Sequence, residues 1–155
     1  MNKPVSKILA EILPDFGFLR RKSQDWYRDL GSVVHVIGLQ KSRWGDSYYV
    51  NLGVWIKALG GEVRPRYYQC HIQQRLEMIA LRRNELDLAL NEEDYWKMDA
   101  EERARVLKLE LSNAQFVFFR EMASSDAVRS YLLKPDSEKN LAVKRTLKEF
   151  WGLPL

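Results

Sequence analysis

The sequence predicts one α+β domain with an antiparallel sheet. Three observations point to this class: the first residues have helical periodicity, the stretch up to residue 76 has strand-like segments, and helical periodicity returns near residue 98. A chain of 155 residues with 46% hydrophobic residues can bury one sizeable core. We therefore expect residues 1–155 to form a single domain, with residues 123–155 as its helical carboxy-terminal extension.

The amino-terminal segment is predicted to be an amphipathic helix. Pro4 suits its first turn and Pro14 marks its end. The apolar residues that recur at helical spacing are Val5, Ile8, Leu9, Ile12 and Leu13.

Four strands are predicted next, with a glycine-containing turn between each pair. They cover residues 24–30, 32–40, 48–57 and 67–76. Alternation is clearest in the third strand, where Tyr48, Val50, Leu52, Val54 and Ile56 share one face. The fourth strand would place Cys70, Ile72, Gln74 and Leu76 on one side. Successive strands predict an antiparallel meander of three to four or more strands.

Three helices are predicted after the sheet. Residues 100–122 form the longest, about 34 Å at 1.5 Å per residue. Its apolar stripe contains Ala100, Ala104, Leu107, Leu111, Ala114, Phe118 and Met122. A shorter helix follows the capping pair Ser124-Ser125. The last begins at Asp136 or Ser137 and carries Val143, Leu147, Phe150 and Trp151.

Composition excludes several functional classes. The net charge of +4 gives only a weak attraction to nucleic acid or anionic lipid. No apolar run approaches the roughly 20 residues that cross a bilayer, so we expect no membrane association. The one cysteine, Cys70, suits a reducing compartment, and the amino terminus lacks the continuous apolar run of a signal peptide. We therefore expect a cytoplasmic protein.

Motifs for catalysis, cofactors and metals are absent from the sequence. Cys70 and His71 are neighbours that would point to opposite faces of a strand, so they cannot pair as nucleophile and base. A pair formed by Cys70 and His35 across strands stays open, although a hydrogen-bonded core histidine is the simpler interpretation of His35. Gly60-Gly61 indicates a turn. We expect no enzymatic activity, no cofactor and no metal.

Basic residues beside aromatic ones provide one candidate function. They occur as Arg28 beside Trp26 and Tyr27, as Arg43-Trp44, and as Arg64, Arg66, Tyr67 and Tyr68. Single-stranded nucleic acids are bound by such mixtures of cations and stacking surfaces. The alternative is that these rings pack across strands and the arginines stack on them.

A second candidate is a protein-binding surface. Residues 92–102 are strongly acidic and could face a cationic partner, or could simply complement the amino end of the long helix. The Gly45-Asp46 turn would hold Trp44 exposed, whereas Trp96 would either bind a partner or pack the helix start on the sheet. The candidate partner-binding residues are Arg43, Trp44, Glu92, Glu93, Asp94 and Trp96.

Several short segments resemble a known family. They are Phe16-Gly17-Phe18, Trp26-Tyr27-Arg28, Val36 to Arg43 (VIGLQKSR), Val50 to Val54 (VNLGV), Cys70-His71-Ile72, Arg75-Leu76 and Trp96. In this order they resemble the bacterial domain of unknown function 4304, over roughly residues 5–122. The resemblance implies an α+β domain with an antiparallel sheet and brings no catalytic residues.

Together these observations favour a non-catalytic, cytoplasmic protein-binding domain. By analogy of class, small bacterial α+β proteins of this kind often serve as immunity proteins that neutralise a toxin. The net charge of +4 argues mildly against a nuclease toxin, because such toxins are usually basic. The alternative is a nucleic-acid-associated module, and an enzyme built on Cys70 and the histidines is the least favoured class.

Overall fold

The central element of the computed structural model is a six-stranded antiparallel sheet whose strand order follows the chain. The structure describes residues 2–21, 24–61, 64–135 and 141–155. The strands are β1 (Leu19–Arg20), β2 (Asp25–Asp29), β3 (Val33–Lys41), β4 (Tyr48–Ile56), β5 (Ile72–Arg75) and β6 (Ala142–Val143). The helices are α1 (Val5–Ile12), α2 (Arg83–Ala89), α3 (Ala100–Ala114), α4 (Ser125–Leu132) and α5 (Arg145–Trp151). The predicted α+β class and meander are confirmed.

The sheet is built around the pairing of β3 with β4. The two strands pair over nine residues, from Val33 opposite Ile56 to Lys41 opposite Tyr48. Alternation then sends every second residue to the same face. The predicted face of β4 is confirmed, because Val50, Leu52, Val54 and Ile56 all lie in the main core. Helices α1 and α3 contribute their apolar faces to that same core.

The opposite face of the sheet carries a smaller cluster of Val34, Val36, Trp55 and Cys70. Two glycines let the segment before β5 lie directly on this face. A β-carbon at Gly38 would overlap the ring of Tyr67, and one at Gly53 would lie 2.6 Å from the Cys70 sulfur. Such distances are shorter than carbon–carbon or carbon–sulfur contact allows, so both positions require glycine, which has no β-carbon.

The predicted fourth strand is wrong in its first half. Residues Tyr67–Gln69 form a 3₁₀ turn, and the strand itself is only Ile72–Arg75. Cys70 therefore does not share a face with Ile72: it lies in the smaller cluster, whereas Ile72 lies in the main core. The reason is the space that Gly38 and Gly53 leave above the sheet. The Tyr67 ring and the Cys70 side chain fill this space, so their segment does not continue the strand.

The long helix is confirmed, with a change of winding near its end. Regular α-helix ends at Ala114 and continues as a π-helical segment, Gln115–Phe119, and then as the 3₁₀ turn Arg120–Met122. In the predicted stripe, Ala100 and Ala104 are half-buried and the later members are buried. Helix α2 was not predicted at all.

The carboxy-terminal segment contains a strand that the sequence did not predict. The expected start of the last helix, at Asp136 or Ser137, lies outside the described residues. Val143 was predicted to be helical. It lies instead in β6, where it pairs with Ile72 of β5, and a β-branched residue suits such a sheet edge. The following helix, α5, begins at Arg145, and α4 is confirmed with Ser124 as its N-cap. Among the described residues, no helix is long and apolar enough to cross a membrane.

Candidate functional site

Two loops that carry the predicted partner-binding residues lie side by side. The first connects β3 to β4 at residues 42–47, and the second follows α2 at residues 91–97. Asp46 joins them twice, because its carbonyl accepts from the Glu92 amide at 2.8 Å and its amide donates to Glu93 Oε1 at 3.2 Å. A β-bridge between Ser47 and Asn91 continues the contact. Residues distant in sequence are thus held in one surface.

Both tryptophans of these loops face solvent. Trp44 is 91% exposed and Trp96 is 80% exposed. Of the two alternatives given for Trp96, packing of the start of the long helix on the sheet is therefore excluded. Arg43 and Glu93 are exposed beside them. We call the exposed side chains of Arg43, Trp44, Glu93 and Trp96 the tryptophan surface.

Glu92, by contrast, has a structural role at the amino end of α1. Its Oε1 accepts a hydrogen bond from the Val5 amide at 2.7 Å. A carboxylate at this position compensates the partial positive charge of the helix start. Burial raises the pKa of Tyr48 and of Tyr95, and the Glu92 charge adds to both rises. Glu92, the first member of the acidic stretch, therefore complements the start of α1 and not that of the long helix.

Asp94 is also engaged within the chain. Its Oδ2 accepts from the side-chain Nδ2 of Asn91 and from Lys97 Nζ, each at 3.2 Å. Lys97 lies over the ring of Trp96 at 5.1 Å. The expectation that acids of this stretch complement the amino end of the long helix is confirmed at the other end of the stretch: Asp99 is the N-cap of α3 and accepts from the Glu102 backbone amide, and Glu101 and Glu102 lie in its first turn. All three predicted acids therefore accept hydrogen bonds within the chain, but only Glu93 is exposed, whereas Glu92 and Asp94 are half-buried.

Arg103, a residue that the sequence analysis did not single out, supports the second loop from below. It is fully buried. Its guanidinium donates to five carbonyl oxygens at 2.7–3.1 Å, those of Leu88, Ala89, Asn91, Asp94 and Met98. One side chain therefore satisfies carbonyl oxygens both at the end of α2 and in the irregular backbone before α3. A weak signal was present, since Arg103 lies one turn before Leu107 and therefore on the same side of the helix.

The residues proposed for nucleic-acid binding do not form one exposed stacking surface. Trp26 is buried in the main core. Tyr27 packs against the smaller cluster, and Arg64 lies over its ring at 5.2 Å. Arg28 stacks on Phe18 at 4.4 Å. These arginines follow the alternative given above, in which cations stack on rings that pack within the fold.

The possible pair of Cys70 and His35 is excluded, because the two residues occupy opposite faces of the sheet. His35 stacks on Phe119 at 4.5 Å, on the side of the helices. Cys70 is buried on the other side, and burial raises the pKa of its thiol. Burial also lowers the pKa of His35 to about 4, so the expected hydrogen-bonded, neutral core histidine is what the fold contains.

His71 is likewise buried and neutral. Its Nδ1 accepts from the Ile56 amide at 2.9 Å, and its ring stacks on Trp55 at 4.2 Å. Burial, with a contribution from the charge of Lys144, lowers its pKa to about 4. Among the residues that the structure describes, no three His, Cys, Asp or Glu side chains group as a metal site.

Comparisons with known proteins identify the family of this chain. A family model described as Domain of unknown function (DUF4304) matches residues 9–115, more than half of the chain. The match includes both loops of the tryptophan surface. Searches of curated proteins and of solved structures found no match. The resemblance inferred from the short segments is confirmed: the chain belongs to the DUF4304 family, a domain of unknown function.

Proposed function

We propose that this chain is a non-catalytic protein-binding domain that recognises a partner protein through the tryptophan surface. The observation that supports this most directly is the exposure of Trp44 and Trp96 on adjoining loops. Exposed apolar patches are typical of interaction sites, and tryptophan is enriched among the residues that dominate binding energy.

The rigidity of the two loops supports the same proposal. Backbone and side-chain hydrogen bonds fix Asp46 to the second loop, and Arg103 donates to two carbonyls of that loop, those of Asn91 and Asp94. Loops held in one conformation lose little entropy when a partner binds, so more of the contact energy becomes affinity.

The kind of partner that we propose is a bacterial toxin domain, with this chain as its immunity protein. This rests on the analogy of class given above and on the surface itself. Charges near the tryptophans are largely paired, as in Lys41 with Asp46 and Lys97 with Asp94. Tryptophan anchors would therefore supply the affinity, and Arg43 and Glu93 would supply orientation.

The test is quantitative binding to an identified partner. A toxin encoded beside the gene would be co-expressed with the parent chain, and complex formation and cell growth would be measured. Trp44→Ala and Trp96→Ala should each weaken the purified complex at least about tenfold, as expected for central aromatic anchors. The matched control is Phe150→Ala, which removes a half-exposed ring from α5.

Two outcomes would contradict the proposal. In the first, both tryptophan variants are folded and bind and protect like the parent. In the second, the parent is retained on an oligonucleotide column with steep salt dependence and Trp44→Ala abolishes retention, which would favour the nucleic-acid alternative.

A further inference from the structure

A pocket of about 410 Å³ opens at the other end of the long helix. Its walls come from the end of β2, from β3 and from the π-helical segment with the turn that follows it. The residues on which the following argument rests are Arg28, His35, Gln115, Phe116, Phe119 and Arg120. This volume is typical of sites for small organic ligands.

Arg28 places a positive charge in this pocket without a negative partner among the residues that the structure describes. It donates to the carbonyl of Phe16 at 2.8 Å, to Gln115 Oε1 at 2.9 Å and to His35 Nδ1 at 2.7 Å. All three acceptors are neutral. Its buried Nε–H has no hydrogen-bond partner among the described residues. A guanidinium that is desolvated in this way usually pairs with a carboxylate or phosphate.

His35 fixes the guanidinium without neutralising it. Its Nε2–H donates to the Met122 carbonyl at 2.6 Å, which leaves the Nδ1 lone pair to accept from Arg28. Burial lowers the pKa of Arg28 to about 10, so the group keeps its charge at neutral pH. The histidine therefore orients a cation whose counter-ion the described chain does not supply.

Aromatic rings and a second cation complete the pocket. Phe119 lies against His35, and Phe116 is 66% exposed at the mouth. Arg120 lies over the Phe116 ring at 5.9 Å. The π-helical winding brings Gln115, Phe116 and Phe119 to the same wall, and such segments occur frequently at functional sites. None of the residues lining this pocket is acidic.

We propose that this pocket binds a small organic molecule that carries one carboxylate on an apolar, ring-sized body. The carboxylate interacts with the charges of Arg28 and Arg120, and the body packs against Phe116 and Phe119. A single charge fits better than a phosphate dianion, because most of the pocket surface is apolar and desolvating a second charge would be costly. This site is independent of the tryptophan surface and of the protein-binding proposal.

The experiment measures binding of 3-phenylpropionate by isothermal titration calorimetry. The probes for comparison are its neutral amide, 3-phenylpropionamide, which keeps the ring, and inorganic phosphate, which lacks it. The parent should bind the acid at least about tenfold more tightly than the amide, as expected for a charge-assisted contact. It should bind inorganic phosphate more weakly than the acid.

Two exposed residues give variants that should fold normally. Arg120→Ala should weaken binding of the acid about fivefold to tenfold and leave the amide unchanged. Phe116→Ala should weaken both. The matched control is Lys108→Ala, which removes an exposed cation from α3 that does not line the pocket.

Each remaining outcome overturns the proposal. Equal affinity for the acid and the amide would show that the arginines do not select a carboxylate. Tighter binding of phosphate would assign the pocket to phosphorylated ligands. Unchanged binding of the acid by folded Arg120→Ala and Phe116→Ala, or absence of binding by the parent, would show that this pocket is not the site.

Discussion

The free energy of unfolding should fall as the pH is lowered, because two buried histidines resist protonation in the fold. Replacing His71 with asparagine should remove about half of that loss. His71 is buried, with its Nδ1 accepting from the Ile56 amide, and His35 is buried on the other face of the sheet. Burial lowers the pKa of both imidazoles from 6.5 to about 4. Asparagine does not titrate, and its amide oxygen can accept from Ile56 in place of the imidazole nitrogen.

The sign follows from the direction of the two pKa shifts. In the unfolded chain each imidazole takes up a proton below about pH 6.5, whereas in the folded chain it stays neutral down to about pH 4. The stability is therefore fully present above pH 6.5 and is lost as the pH falls towards 4. At about pH 5.0 the loss is about 2 kcal/mol for each histidine, and it approaches about 3 kcal/mol at pH 4.

Urea unfolding followed by tryptophan fluorescence at about pH 7.5 and pH 5.0 measures this loss. The parent should lose about 2 kcal/mol more than His71→Asn between these two conditions. Asp25 and Glu77 act in the opposite direction, because burial raises their pKa, but both carboxyls are present in both proteins and cancel in the difference. Equal losses in parent and variant would refute the assignment of a neutral, buried His71.

Four further substitutions test the core and the helix supports. Leu111→Asp should destabilise the fold by at least about 3 kcal/mol, because it buries an unpaired charge, and an unchanged melting temperature would contradict the buried stripe. Glu110→Gln should cost about 2 kcal/mol in urea unfolding, since the buried carboxylate accepts two backbone amides at the start of α2. Gly53→Ala should cost about 1–3 kcal/mol in the same assay, because its β-carbon would meet Cys70. Cys70→Ser should leave partner binding within about threefold of the parent, and complete loss of binding by a folded variant would show that the thiol has a role.

Periodic segments could be predicted from the sequence because each buries one face. The alternation in β4 and the stripe of α3 both correspond to sides that face the main core. Helix α2 was not predicted because it buries only Leu86 and Ala89, and two buried positions are too few to show a helical period. The error at residues 67–71 arose from a cause that no local pattern contains, namely the room above Gly38 and Gly53.

The candidate surface could be predicted in part for a similar reason. The exposure of Trp44 could be predicted because it depends on a short turn in the neighbouring sequence. The role of Glu92 could not be predicted, because its partner Val5 lies 87 positions away in sequence. Arg28 and Gln115, which line the pocket beside the π-helical segment, are likewise 87 positions apart in sequence. Contacts of this range are decided by tertiary packing, and a single sequence does not encode them in any short motif.

The strand lengths of this sheet bear on its resistance to aggregation. Its two outermost strands, β1 and β6, are only two residues long, whereas the nine-residue strands lie in the interior. Within the described chain, the sheet therefore offers another molecule little unpaired backbone along which an intermolecular sheet could grow. β6 covers Ile72 and Gln73 of β5. A shortened chain without residues 141–155 would uncover that edge, and self-association should then appear before any loss of the central strands.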